Sequence, residues 1–480
     1  MNSKIIKTWF LVLIVMVTSC ELPDNIDPKR AADVTPDVLV SNSEIALFNL
    51  MGSVNVNRNV TRLLAQYQSE VTYVTESRYN FQDRQIPDYH WGVLYRDVLT
   101  NLEKAKSLIN STAFADPQEK LNKIAIIEVL EVYSYQLLLD AFGNIPYTEA
   151  LQGAANSTPK YDDAKTVYLD ILSRLSKAVT DLSNDNGSAG FGSADLLYNS
   201  NIAKWKEFSA SLKLRIGLRL ADSNPIEAAK AVQEAITSGV FTSQSNSAIF
   251  IYTGTAPYVN SYYQEFVLGN RKDFCPTNTL VDKMKALNDP RMPVWFTKYL
   301  GEFVGLPYGK VGASSYSKFS HFTSIPNPVY PVIISDYVEV EFLLAEAAER
   351  GMAGVTGSAE SHYNNAITQS MLYWGLTQAD ADTYLAEPSV AYATAATNWK
   401  QKIGDQKWLA LFDRGNEAWA EWRRLDFPIL NPPENMTYND IPQRMPYPYN
   451  ENKMNPANYS EAASAIGGDN ASTKLFWDKY

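Results

Sequence analysis

The chain has 480 residues, 45% of them hydrophobic, and a net charge of −11; it is long enough to bury a substantial core. An acidic balance of this size argues against nucleic acid or an anionic lipid surface as partner. Two cysteines, Cys20 and Cys275, and three widely spaced histidines, His90, His321 and His362, speak against a disulfide scaffold and a histidine-based metal centre.

The N-terminus reads as a leader. Lys4 and Lys7 precede an apolar run from Trp9 to Val17, and Thr18-Ser19 leads into Cys20. That is the layout of a secretory signal, and the run is shorter than the roughly 20 apolar residues that span a bilayer. A cysteine at the cut point has the pattern of a lipidation site, so residues 1–19 are expected to be removed and Cys20 acylated. The polar, proline-bearing stretch that follows reads as a tether, giving a signal peptide (1–19), a lipidated cysteine with tether (20–42) and one domain (43–480).

Within that domain a period of 3.6 predicts helices over 93–109, 121–142, 161–182, 202–221, 225–237, 336–350, 359–374 and 398–425. Asn224-Pro225-Ile226-Glu227 and Thr377-Gln378-Ala379-Asp380 are helix-start signals, while Gly143 and Pro146 stop the helix ending at Phe142. The pairing of helices, clearest from Phe342 to Ile367, resembles tetratricopeptide units, which stack because none can bury its face alone. The expected fold is mostly α, a scaffold of such pairs with long irregular loops at 240–334 and 427–480 and minor β content.

No nucleophile elbow, phosphate loop or zincin helix is present, so the sequence gives no support to an enzyme. Glu417 and Glu421 share a helix face near Arg414, Arg423 and Arg424, which reads as a solvated or structural ion-pair face. Trp408, Leu411, Phe412, Gly415, Ala418, Trp419 and Trp422 recur every three or four residues and read as a buried stripe.

The segment from Arg78 to Trp91 differs, because its aromatics lack helical spacing and alternate with hydrogen-bonding side chains. A sugar needs both, an aromatic plane for its apolar face and polar partners for its hydroxyls. Arg78, Tyr79, Asn80, Phe81, Asp83 and Trp91 are therefore candidate ligand contacts, although such rings could equally pin the loop to the body. Tyr258, Asn260, Tyr262 and Tyr263 form a second candidate group, and Tyr316 a third with Tyr308, Phe319 and Phe322.

Several strings resemble the SusD/RagB family of surface lipoproteins from Bacteroidetes. They are the run from Asp140 to Ala150 (Asp140-Ala141-Phe142-Gly143-Asn144-Ile145-Pro146-Tyr147-Thr148-Glu149-Ala150), Trp91 ahead of Leu94-Tyr95-Arg96 and Asn101, and Asp289-Pro290-Arg291-Met292-Pro293. Gln406-Lys407-Trp408-Leu409-Ala410-Leu411, Glu417-Ala418-Trp419-Ala420-Glu421-Trp422-Arg423-Arg424 and Arg444-Met445-Pro446-Tyr447-Pro448, with Glu451 after it, complete the set. The resemblance implies an outer-membrane, lipid-anchored, cell-surface protein that binds nutrient oligosaccharides, or in some members peptides. It also implies delivery to a SusC-like TonB-dependent barrel, and a sugar-stacking role for Trp91. It implies no cofactor; the acidic loops do offer the oxygen ligands a structural Ca²⁺ would need. The rival readings are a lipid-anchored glycoside hydrolase and a structural repeat lipoprotein that assembles envelope complexes.

Overall fold

The computed structural model describes residues 34–183, 187–256, 258–312 and 315–480. The leader and Cys20 lie outside the described residues. Pro36–Tyr480 forms one compact unit, so the body starts earlier than the expected boundary at 43. The reason is helix α1 (Pro36–Gly52): its proline sits at the first position, Asp37 in the first turn, and Leu39 and Val40 are already buried. The last part of the expected tether is thus helix.

The architecture is predominantly helical, with paired helices and minor strand content as expected. The central helix, α2 (Pro117–Phe142), is buried almost continuously from Ala125 to Phe142. Asp116 caps its start by accepting from the Gln118 N–H at 2.9 Å, and Gly143, at φ +83°, ends it. α3 (Ala164–Ser183) packs on α2 through Val167, Tyr168, Ile171, Leu172, Leu175, Ala178 and Leu182, a stripe at helical spacing. Burying each large apolar side chain of such a stripe contributes about 1.5–3 kcal/mol. α4 (Ile202–Arg219) with α5 (Pro225–Ser238), and α6 (Tyr337–Glu349) with α7 (Ala359–Tyr373), are further packed pairs.

Local signals held unevenly. Thr377 and Asp380 form the expected reciprocal capping box, whereas Asn224 makes no side-chain cap although its helix starts at Pro225 as predicted. The helix predicted from 161 begins at Ala164, because Tyr161–Asp162 is a strand paired with Ile145–Pro146. The helix predicted over 398–425 is two, α8 (Trp399–Ala410) and α9 (Gly415–Leu425), broken where Asp413 takes φ +70°. At Gly415 a Cβ would lie 2.5 Å from the Arg62 backbone nitrogen, so the break lets two backbone segments meet. The remaining strands are short antiparallel pairs, Gln68–Glu70 with Phe274–Pro276 and Ala248–Phe250 with Val332–Ser335.

The core carries a buried charge network. Arg215 and Arg219 on α4 meet carboxylates on α6 and α9: Arg215 pairs with Glu339 at 2.5 Å, and Arg219 with Glu421 at 2.5 Å and Glu417 at 2.8 Å. Lys407 reaches Glu421 at 2.6 Å, as does Arg424, which also holds Glu346. The Glu417–Glu421 face is therefore structural and buried, not solvated. Burial alone would raise the Glu339 carboxyl; Arg215 and Arg414 outweigh it and bring it down to about 2.

Candidate functional site

Trp91 lies near the end of a short helix, α10 (Ile86–Gly92), with Pro87 in its first turn. The helix continues through a wider π-type turn over Val93–Leu99 and then as Thr100–Ser111, so the segment expected to be an irregular loop is irregular only up to Gln85. Tyr95 follows Trp91 by one turn, and their rings lie 4.8 Å apart. Phe142, at the end of α2, meets the indole edge-on at 5.0 Å.

The run from Asp140 to Ala150 builds the neighbouring wall. Pairing of Pro146 with Tyr161 brings Tyr161 within 6.0 Å of Trp91. The Asp162 carboxylate accepts from the Tyr147 and Thr148 N–H groups at 3.0 and 2.8 Å and fixes that turn, and the Tyr95 hydroxyl donates to the Pro146 carbonyl at 2.6 Å. The third wall is the segment after Arg444. The buried Arg444 guanidinium donates to the Phe142 carbonyl and pairs with Asp469 at 2.6 Å, pinning Tyr447 behind Trp91.

Beside these residues lies an open cavity of about 300 Å³ whose lining includes Trp91, Tyr95, Arg96, Pro146, Leu151, Pro159, Glu451 and Met454. Trp91 is half-buried and lines the cavity, and Met454, also in the lining, is exposed. Glu451 accepts from the Tyr161 hydroxyl at 2.5 Å. The Asp88 carboxylate accepts from the Tyr449 N–H at 3.0 Å and so ties α10 to the segment carrying Glu451. On the other side of that segment lies a second cavity of about 250 Å³, lined by Gln85, Asp88, Tyr447, Tyr449 and Tyr459 among others.

The other expected ligand contacts distribute differently. Tyr79 is fully buried against Phe81 and Tyr308, with its hydroxyl accepting from Gln66 at 3.1 Å, so it offers no stacking face. Phe81 is also fully buried, at the back of the second cavity. Tyr262 is buried at 1% exposure, with its hydroxyl donating to Asp413 at 2.8 Å and the Arg62 guanidinium over its ring. These three rings are core, because each polar edge finds an internal partner or none is needed. Arg78 donates to the Asn435 carbonyl at 2.8 Å and so ties its loop to a segment distant in sequence, while Asn80 and Asp83 bond each other at 2.8 Å within the loop. Tyr258 is exposed, and Tyr316 is half-buried and stacked on His321 at 3.9 Å; neither lines either cavity. Tyr161, Glu451 and Met454 were absent from the expected contacts, and only the β pairing and the C-terminal segment bring them to Trp91.

His90, beside Trp91, points inward and is 1% exposed, with neither ring nitrogen hydrogen-bonded among the described residues. Burial pushes its pKa down from 6.5 to about 4. The folded value lies below the unfolded one, so its contribution to stability is full above about 6.5 and is lost as pH falls towards about 4. Urea midpoints measured from pH 7 to pH 4 are expected to fall more steeply for the wild type than for His90→Leu. Parallel curves would contradict this.

Among the described residues no group of three or more His, Cys, Asp or Glu side chains is placed to hold a metal ion, which leaves the expected option of a structural Ca²⁺ without a candidate cluster. Nor is any helix among them long and apolar enough to cross a membrane.

A family model described as "Starch-binding associating with outer membrane" matches residues 28–448. No curated protein matches the chain. Among solved structures, a chitin-binding protein is 26% identical, superposes with a TM-score of 0.80, and is aligned over 93% of this chain and 100% of its own. A chitin-binding SusD homologue from Flavobacterium johnsoniae is 24% identical over 92% of this chain and 98% of its own, with a TM-score of 0.79. A SusD-like protein from Bacteroides thetaiotaomicron shares the fold at 23% identity and a TM-score of 0.78, covering 93% of this chain and 99% of its own.

Proposed function

The chain belongs to the SusD-like family of outer-membrane-associated carbohydrate-binding proteins, which are binding proteins and not enzymes, and from that premise we propose that it captures oligosaccharides in the Trp91 cavity at the cell surface. Acylated Cys20 would hold it to the outer leaflet, and the cargo would pass to a SusC-like TonB-dependent barrel.

The observation that carries this reading is the combination in the lining of one cavity of a half-buried tryptophan, a tyrosine and a carboxylate. Its volume, about 300 Å³, is at the lower end of ligand-binding cavities, roughly 300–1,000 Å³. That suits a terminal or looped-out sugar more than a long buried segment. The chitin-binding description of the relative at 26% identity supports a glycan over a peptide as cargo. A carrier must also release what it binds, so affinity should be modest and the surrounding walls preformed.

A glycan array probed with the labelled protein tests the reading. Retention by neutral oligosaccharides, without release of new reducing ends on incubation, is the expected result. Release of reducing ends would favour a hydrolase. A stable protein partner with no glycan retained would favour a purely structural role.

A further inference from the structure

Two charged side chains line the Trp91 cavity among the described residues, Arg96 and Glu451, and they are not equivalent. Arg96 is neutralised by Asp97 through paired bonds of 2.7 Å each, and its side chain is largely exposed. Glu451 is half-buried and has no cation paired with it; one oxygen takes the Tyr161 hydroxyl at 2.5 Å. Burial and the charge of Asp88 raise the Glu451 carboxyl above its usual range, and the Tyr161 hydroxyl opposes them by stabilising the ionised form. The other oxygen has no hydrogen-bond partner among the described residues. Lys453, the nearest lysine along the chain, sits over the Tyr449 ring at 4.1 Å, and Tyr449 lines the second cavity. Asp88, on the far side of the 449–450 turn, adds a second negative charge near Glu451.

The cavity that carries Trp91 is therefore electronegative, with one carboxylate oxygen free to accept. We propose that Glu451 is its charge selector: the cavity takes sugars bearing a free amine, or neutral sugars, and rejects sugars bearing carboxylate or sulfate groups. This rests on the reading of the cavity as a sugar site. A glycan ammonium near the free oxygen of Glu451 gains a charge-assisted hydrogen bond in a partly desolvated site, while a uronate there meets a like charge.

Calorimetry at neutral pH tests this with three ligands of matched length: glucosamine, N-acetylglucosamine and galacturonate oligomers. For the wild type the order expected is amine, then neutral, with no measurable binding of the acidic oligomer. In Glu451→Gln the amine-over-neutral preference should shrink on the order of tenfold, the Coulombic effect of one unscreened charge at close range, whatever change the lost carboxylate makes to neutral binding. Trilysine serves as a sugar-free amine and should not bind. Equal affinity for neutral and acidic oligomers, or an unchanged preference in Glu451→Gln, would overturn the charge selector while leaving the sugar site standing. Binding of trilysine in place of glucosamine oligomers would overturn it in favour of a peptide amine. If none of the three oligomers binds, the sugar reading of the cavity fails, and the selector with it.

Discussion

Replacing Arg219 by alanine is expected to destabilise the protein by about 3–5 kcal/mol, the cost of breaking a buried ion cluster by removing one partner. Arg219 is fully buried and faces Glu417, Glu421 and Asp140 at 2.8, 2.5 and 3.3 Å. Its removal leaves carboxylates on two helices without their shared cation, in a region where water cannot replace it. The depressed carboxylates set the matching pH dependence. Glu339 and Glu421 titrate below the unfolded value of 4.5, so their stabilisation is complete above that value and is lost as pH falls through their folded pKa values, about 2 for Glu339. Urea unfolding at neutral pH measures the first effect. A loss under about 1 kcal/mol would mean the cluster reorganises around the gap, and that the network does not hold α4 to α9.

The second large effect is on binding. Trp91→Ala is expected to weaken oligosaccharide affinity by about 1–3 kcal/mol, the range seen when an aromatic stacking partner is truncated. Trp91→Phe keeps a smaller ring at the same place and should lose less. Because the indole also packs on Phe142 and Tyr95, circular dichroism and the urea midpoint must accompany the titration. Unchanged affinity in a folded Trp91→Ala protein would remove the site assignment.

Much of the scaffold was legible in the sequence because helices announce themselves by period and by cap chemistry. The Trp408–Trp422 stripe is core as expected, with Trp408, Leu411, Phe412, Ala418 and Trp419 buried. The break before Gly415 was not legible, since its cause is a contact with Thr61 and Arg62, some 350 residues away in sequence. Of the expected contacts Trp91 lines the first cavity, whereas Tyr79, Phe81 and Tyr262 are buried, which the sequence did not reveal. Aromatic and polar residues alternate both in sugar sites and in loops that bury tyrosines with satisfied hydroxyls, and local sequence does not distinguish them. Gln66, which satisfies Tyr79, lies 13 residues before it, and Asp413, which satisfies Tyr262, lies 151 residues after it; neither pairing is marked by a local motif.

The strings that carry the family resemblance also build the surroundings of Trp91. Asp140 to Ala150 contributes Phe142 and Pro146 to the surroundings of Trp91 and, through its strand, delivers Tyr161. Arg444 fixes the segment that ends in Glu451 and Met454. Sequence could not join these pieces, because what unites them is two short strands and one buried guanidinium.

The central claim is that a glycan sits against Trp91. A crystal structure of the protein soaked with a neutral oligosaccharide retained on the array tests it most directly. The expected result is a pyranose ring within about 4 Å of the indole, the distance of van der Waals contact, with a hydroxyl on Glu451. A sugar bound elsewhere, with the Trp91 cavity holding only solvent, would contradict it.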